Sequence, residues 1–343
     1  MKRKVILAAR YVGAALRRPI RLLILSAAAA LAIAAAPPSP ASAQSLANQV
    51  LALYPQRTGE IIFVDLQALR GSPHYAQLKA QVLPQQFRSL EQWTNALGMD
   101  FERQVRQLSW AFIPAEQGSA IELVGVAEGS FSPDDVERHA RQMKLAVSKP
   151  GGALLVSLGR TEGGDEFVFA FLDSSTAVFG WRRPAEEIVT RRAQGGTSVL
   201  NNTTLQPLMQ ELNGRAPMWV ALDKRFTGLA LKQLLPGASQ VSGFDAVAAG
   251  MQSAWLRFEL RNGLQALAAL RCKDQQDALL FSTAAQAAIA YQALALNNQN
   301  PDLSRALQQM QVARQGDQLN IQWNLPEPDL VALLAKNSFT LSF

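Results

Sequence analysis

Histidine and cysteine are nearly missing from this 343-residue chain, which has two histidines and one cysteine. A structural zinc site draws most of its ligands from those two residue types, so a Cys/His cluster lacks the donors it needs. No intramolecular disulfide can form around the lone Cys272. His74 and His139 stand apart, with no second ligand at metal-binding spacing. No G-x-S-x-G elbow, no Walker A sequence and no H-E-x-x-H occurs, and no lysine follows a serine by three residues. Serine acylation, phosphate-loop and zinc-protease chemistry therefore lack their usual signatures.

What the chain does have is concentrated at its start. Ahead of Gln44 stand Lys2, Arg3, Lys4, Arg10, Arg17, Arg18 and Arg21 with no acidic residue, followed by an apolar run from Leu22 to Ala36. Basic and then apolar is the order of a secretory signal. Pro37, Pro38 and Pro40 break the run, and Ala41-Ser42-Ala43 offers the small residues of an A-x-A cleavage site before Gln44. The expectation is a cleaved signal peptide over residues 1–43. A retained anchor is the competing reading, but the run falls short of the roughly 20 apolar residues a spanning helix needs. Arg17-Arg18 leaves a twin-arginine route open beside the general one.

Removing that leader changes the electrostatics. The whole chain carries 33 Lys+Arg against 27 Asp+Glu, and taking away the seven leader cations leaves 26 against 27. A nucleic-acid binder keeps a basic surface after processing; a nearly neutral mature chain does not, so nucleic acid is not expected as a partner. The compartment implied is periplasmic or extracellular, with membrane contact only during export or through an uncleaved leader.

The remainder reads as α+β. Gly59–Asp65 is rich in β-branched and aromatic residues, as strands are. Ser72-Pro73 opens a helical stretch with a capping hydroxyl and a first-turn proline, interrupted at Pro84 and stopping at Gly98. Leu108–Pro114 and Ile121–Ala127 follow as strands linked through Ala115–Ser119. Ser132-Pro133-Asp134-Asp135 is a capped helix start running to Met143. Ala153–Leu158, Glu166–Asp173 and Thr176–Trp181 form an antiparallel meander; Gly159–Gly164 within it lacks G-x-G-x-x-G spacing and reads as a hairpin turn.

Strand, helix, strand, strand, helix, strand is the order of a split β-α-β, ferredoxin-like unit. The second half repeats that order: Pro217–Asp223 as a strand, Lys224–Leu235 helical, Ala254–Leu260 and Leu264–Arg271 as strands, an alanine-rich helix over Asp274–Leu296, and a strand pair about Gly316-Asp317. Trp110 and Trp255 differ by 145 positions, as do Gly118 and Gly263. Two diverged repeats with antiparallel sheets are therefore expected, over 44–182 and 217–343, joined by a connecting helix and loop over 183–216.

Asp65, Asp173 and Asp223 end strands, where a carboxylate site could gather, though aspartate there commonly caps the next helix or turn. Trp93, Trp110, Trp181, Trp219, Trp255 and Trp323 lie mostly beside apolar residues, which favours core packing over a recognition surface. Cys272 reads as a half-buried small hydrophobe, and His139 as part of a charged, solvated helical face. The tail Ser338–Phe343 alternates as an edge or docking strand would.

Three stretches carry a resemblance: Leu97-Gly-Met-Asp-Phe-Glu-Arg-Gln-Val-Arg-Gln-Leu108; Gly129-Ser-Phe-Ser-Pro-Asp-Asp-Val136; and Phe169-Ala-Phe-Leu-Asp173 with Val178-Phe-Gly180. They are similar to the DUF3352 group of uncharacterised exported bacterial proteins. The resemblance implies an envelope location and no known reaction, cofactor or catalytic residue. The expected function is that of a non-enzymatic, soluble envelope scaffold or protein-binding module with a protein partner. A carboxylate-based hydrolase and a carrier of an apolar ligand are the alternatives, and the oligomeric state is left open.

Overall fold

Runs of β-branched and aromatic residues give twelve strands, and helices of eight residues or more fill most of the connections. The computed structural model of the chain describes residues 46–82, 85–115, 120–160, 165–234, 248–260 and 263–336. In chain order the elements are β1 (Glu60–Asp65), α1 (Tyr75–Val82), α2 (Gln85–Ala96), β2 (Val105–Pro114), β3 (Ile121–Gly129), α3 (Pro133–Gln142), β4 (Val147–Ser148) and β5 (Leu154–Arg160). Next come β6 (Glu166–Phe171), β7 (Thr176–Trp181), α4 (Arg182–Gln194), α5 (Leu205–Leu212), β8 (Met218–Asp223), α6 (Lys224–Leu234), β9 (Met251–Glu259) and β10 (Gly263–Cys272). The last are α7 (Gln275–Leu296), α8 (Pro301–Gln308), β11 (Gln311–Gln315), β12 (Gln318–Pro326) and α9 (Glu327–Ala335). The class is α+β with antiparallel strands.

Two compact units divide the chain. Of the described residues, those within 46–67 and 85–206 form the first and those within 68–82 and 207–336 the second. Within the first, the strand order is β1-β2-β3-β7-β6-β5-β4. All six residues of β1 are buried, so its sequence Glu-Ile-Ile-Phe-Val-Asp is nearly unbroken in apolar character rather than alternating. Ile62 pairs with Trp110, and Trp110 with Gly125 on its other side.

That pairing differs from the ferredoxin-like expectation. In a split β-α-β unit the first strand inserts between the third and the fourth; here β1 pairs directly with β2, and β3 pairs with β7. The chain leaves β3 through α3, enters at β4, and returns through the antiparallel pairs β5·β6 and β6·β7. The last strand of the meander, β7, thus takes the place beside β3. Element order read from sequence does not specify which edge a returning strand joins, and here two hairpins carry the chain back inward. Residues 183–216, read from sequence as the joint, hold α4, which packs against β3, β6 and β7 within the first unit.

Local chemistry explains the boundaries. Gly98 ends the α2 turn at φ +77°, and a Cβ there would lie 2.6 Å from Cε1 of His139. His139 is accordingly half-buried, its Nδ1 2.8 Å from the Asp135 carbonyl, rather than on a fully solvated face. Pro133 opens α3 with Asp134 and Asp135 in its first turn, but Ser132 makes no capping hydrogen bond. The acidic residues and the proline remain as the start signal. The link 116–119, including Gly118, lies outside the described residues, as do 161–164 and Ser338–Phe343.

In the second unit the strand order is β11-β12-β10-β9-β8. Gly263 opens β10 at φ +122°, where a Cβ would stand 2.1 Å from the Leu325 carbonyl oxygen. Trp219 and Phe226 are fully buried, and burying a large apolar side chain of this kind contributes about 1.5–3 kcal/mol. Trp323 is buried too and donates from Nε1 to the Ala306 carbonyl at 2.7 Å, fixing α8 to β12. Five of the six tryptophans are core residues, and Trp181 is partly exposed.

Candidate functional site

Two of the three strand-end aspartates, Asp223 and Asp173, accept hydrogen bonds from the backbone that follows them. Asp223 accepts from the Phe226 amide at 2.9 Å and so starts α6, while burial holds its carboxyl above the ordinary range. Asp173 accepts from both the amide and the hydroxyl of Ser175 at 2.7 Å, and from Arg192 at 3.2 Å. Burial pushes Asp173 up, but those hydrogen bonds outweigh it and leave the carboxyl below its usual range. Asp65 is buried at the end of β1. Asp65 and Asp173 share a unit with Glu128, whose carboxyl is raised first by burial and further by Asp173, against the opposing charge of Arg106. Within that unit, then, the raised carboxyl of Glu128 stands beside an Asp173 carboxylate committed to a turn.

The remaining nucleophile and metal candidates are similarly placed. His74 contacts Glu327 at 3.4 Å and ties the α1 turn to α9. Cys272 is buried beside the Met251 sulfur at 3.8 Å, and burial pushes its thiol up to about 11. A thiol so shifted is almost wholly protonated at neutral pH and is a poor nucleophile. Among the described residues no group of three His, Cys, Asp or Glu side chains could hold a metal ion. Ala41, Ser42, Ala43 and Gln44 of the expected cleavage site lie outside the described residues.

An apolar void in the first unit is lined by Phe101, Phe131, Phe169, Phe171 and Phe179 with smaller neighbours, and its volume is about 20 Å³. Ligand pockets measure about 300–1,000 Å³. The void is a packing defect between rings, such as Phe131 and Phe171 at 5.8 Å, and does not suit the carrier reading.

Four of the five large hydrophobic side chains exposed among the described residues lie on α7. Asp274 caps it, accepting from the amides of Gln276 at 3.0 Å and Asp277 at 2.9 Å. One stripe, Ala278, Phe281, Ser282, Ala285 and Ala293, is buried; it packs against β10–β12 and α8. Ser304 Oγ donates to the Ala293 carbonyl at 2.6 Å to hold α8 there. The opposite side exposes Leu279 (53%), Leu280 (51%), Tyr291 (71%) and Leu294 (74%). Val331 on α9 is the other large hydrophobic side chain exposed among the described residues. From Ala278 through Asn300 there is no charged residue.

Those four side chains form an apolar face on the scale of the largest patch of an ordinary monomer, about 300–600 Å². By length and composition alone α7 could cross a membrane, and only 17% of its most apolar window is buried. Reading the sequence as an alanine-rich helix missed this face. The signal was present in the absence of charge and in the 4-3-4-3 spacing of Leu280, Ala284, Ala287, Tyr291 and Leu294.

Comparison with known proteins adds little. No family model matches the chain, and no curated protein matches it. Among solved structures it is similar to crystal form I of TP0453, at 11% sequence identity and a TM-score of 0.44. The match covers 88% of this chain and 100% of the other.

Proposed function

We propose that this protein is exported, processed after Ala43, and acts without catalysis as a protein-binding module of the bacterial envelope. The leader's order of charge, apolar run and A-S-A site supports export, and the resemblance to the DUF3352 group agrees with it. One observation carries the binding role: the uncharged outer face of α7, with Leu279, Leu280, Tyr291 and Leu294 all more than half exposed. A monomer gains nothing from holding such a patch in water, whereas a partner's apolar surface would remove it at about 25 cal/mol per Å².

The two units are read as diverged copies. Each starts with a strand, passes through helix to a strand pair, crosses a further helix, and brings its last strand back beside the third: β1-β2-β3-β7 in one, β8-β9-β10-β12 in the other. Trp110 and Trp255 occupy the second strand of each, between Ile62 and Gly125 and between Ala221 and Ala269. The shared order is the support for duplication, now with an antiparallel return in place of a ferredoxin-like one.

The test is a photo-crosslinking amino acid placed at Tyr291 or Leu280 and irradiated in intact cells, with Arg314 as a control position. Discrete protein adducts from the α7 positions and none from Arg314 are expected. N-terminal sequencing of the recovered protein should begin at Gln44. Absence of any adduct at both α7 positions would remove the binding role.

A further inference from the structure

The partner of this face can be named from its own shape. This step rests on the binding role argued above and specifies what fills the site. Leu280, Ala284, Ala287, Tyr291 and Leu294 follow the alternating four- and three-residue spacing of a coiled-coil seam, on the side of α7 facing away from the sheet. Such a seam accepts another helix, with each side chain entering a gap on the partner. Its profile is large at both ends and small in the middle. We infer that the occupant is a second copy of this chain, its α7 lying antiparallel across a two-fold axis at Ala287.

Three observations favour that occupant. First, the volumes interlock: about a two-fold at Ala287, Leu280 meets Leu294 of the second copy, and Tyr291 falls against Thr283 and Ala284. The alanines at the centre permit a close approach, while bulky residues fill both ends. Second, the charges favour one direction. Lys273, Asp274 and Asp277 cluster at the amino end of α7, and the other end, Asn297 to Asn300, is uncharged. Parallel pairing would set the two acidic clusters side by side; antiparallel pairing separates them and opposes the helix dipoles. Third, the area is on the right scale. Two patches of about 300–600 Å² each would together bury about 600–1,200 Å², which brackets the roughly 1,000 Å² that a small specific interface needs. A lipid surface fits less well, because an interfacial helix draws binding from Lys and Arg on its polar side, and α7 contains neither.

The experiment is sedimentation velocity on the purified full protein, paired with engineered cysteines. A dimer with a dissociation constant on the order of micromolar is expected, as for a small interface. Tyr291→Lys and Leu280→Lys should each weaken it at least tenfold, while the melting temperature measured below the dissociation constant, where only monomer is present, stays unchanged, since each side chain is more than half exposed. Ala287→Cys should crosslink under mild oxidation, and Gln276→Cys should not; wild type, whose Cys272 is buried, is the blank. Equal crosslinking at both positions would overturn the antiparallel arrangement. A wild-type monomer at all concentrations, with no Ala287→Cys crosslink, would overturn self-association. In that event, photo-adducts at Tyr291 to other proteins leave the binding role standing, and their absence removes it as well. Binding of a monomer to phosphatidylglycerol vesicles that Tyr291→Lys abolishes would reassign the face to lipid.

Discussion

Replacing Gly125 with alanine probes the packing of the first unit at a point where the geometry gives a magnitude. Gly125 lies on β3 between Trp110 and Phe179. A Cβ there would stand 2.0 Å from Cζ of Phe179, 2.4 Å from Cε1 and 2.6 Å from Cε2. No carbon pair tolerates that approach, so the ring must swing. It has somewhere to go, because Phe179 also lines the 20 Å³ void among the phenylalanines. Overpacking costs about 1–3 kcal/mol, and alanine recovers about 0.5–1 kcal/mol of strand backbone entropy. Gly125→Ala should therefore destabilise by about 1 kcal/mol and by no more than about 2.5 kcal/mol. Gly129→Ala is the contrast: its Cβ would stand 2.0 Å from the Gln104 carbonyl oxygen, a backbone atom without freedom to swing, and about 3 kcal/mol or more is expected. Urea unfolding followed by tryptophan fluorescence gives both values. Phe179→Ala alone should cost about 3–5 kcal/mol, and combining it with Gly125→Ala should recover at least about 1 kcal/mol because the clash has gone. If the two substitutions add within about 0.5 kcal/mol, as independent sites do, or if Gly129→Ala is the milder of the glycine changes, the packing argument fails.

Glu187 receives two bonds from Arg57, at 2.8 and 2.6 Å, and one from Arg191 at 3.0 Å. Burial pushes its carboxyl up, but the two guanidinium groups outweigh that and leave it below its ordinary value of 4.5. The sign follows: the carboxylate contributes stability above pH 4.5, and that part is lost as pH falls through the depressed value. Glu187→Gln should cost about 1–2 kcal/mol at pH 7 and flatten the acid limb of a stability–pH curve; an unchanged limb would show that the pair holds nothing together. Cys272, buried and shifted up to about 11, should resist a thiol reagent at pH 8 in the native protein and react once urea unfolds it; stoichiometric native labelling would contradict its burial.

Much of the element pattern was legible because it rests on local chemistry. Asn-Pro and Glu-Pro-Asp starts show how a start signal can be passed over: Asn300 caps α8, accepting from the Leu303 amide at 3.2 Å, and α9 begins at Glu327 with Pro328 in its first turn. Both signals stand in the sequence, yet α8 and α9 were hidden beside the longer α7. The strand connections were not legible for a different reason. A hairpin such as β5·β6, with Arg160 opposite Glu166, is fixed by residues near one another in the chain. The pairing of β3 with β7, Gly125 opposite Phe179, joins strands separated by a helix and three other strands, and no local residue choice announces it.

The face of α7 was the least legible of all, and the reason bears on how it works. Apolar residues lie on every side of this helix: Phe281 looks inward, Leu280 and Leu294 outward, and alanine fills much of the rest. A sequence with no polar side cannot say which side is the core. The sheet decides, by taking the stripe through Ala278, Phe281, Ser282 and Ala285. What remains outside is apolar because nothing in the sequence made it otherwise, and that outer side stays exposed. The charge-free residues from Ala278 to Asn300 put no like-charge repulsion against a second surface of the same character, and under the proposed pairing α7 of another copy is the surface that the chain itself supplies.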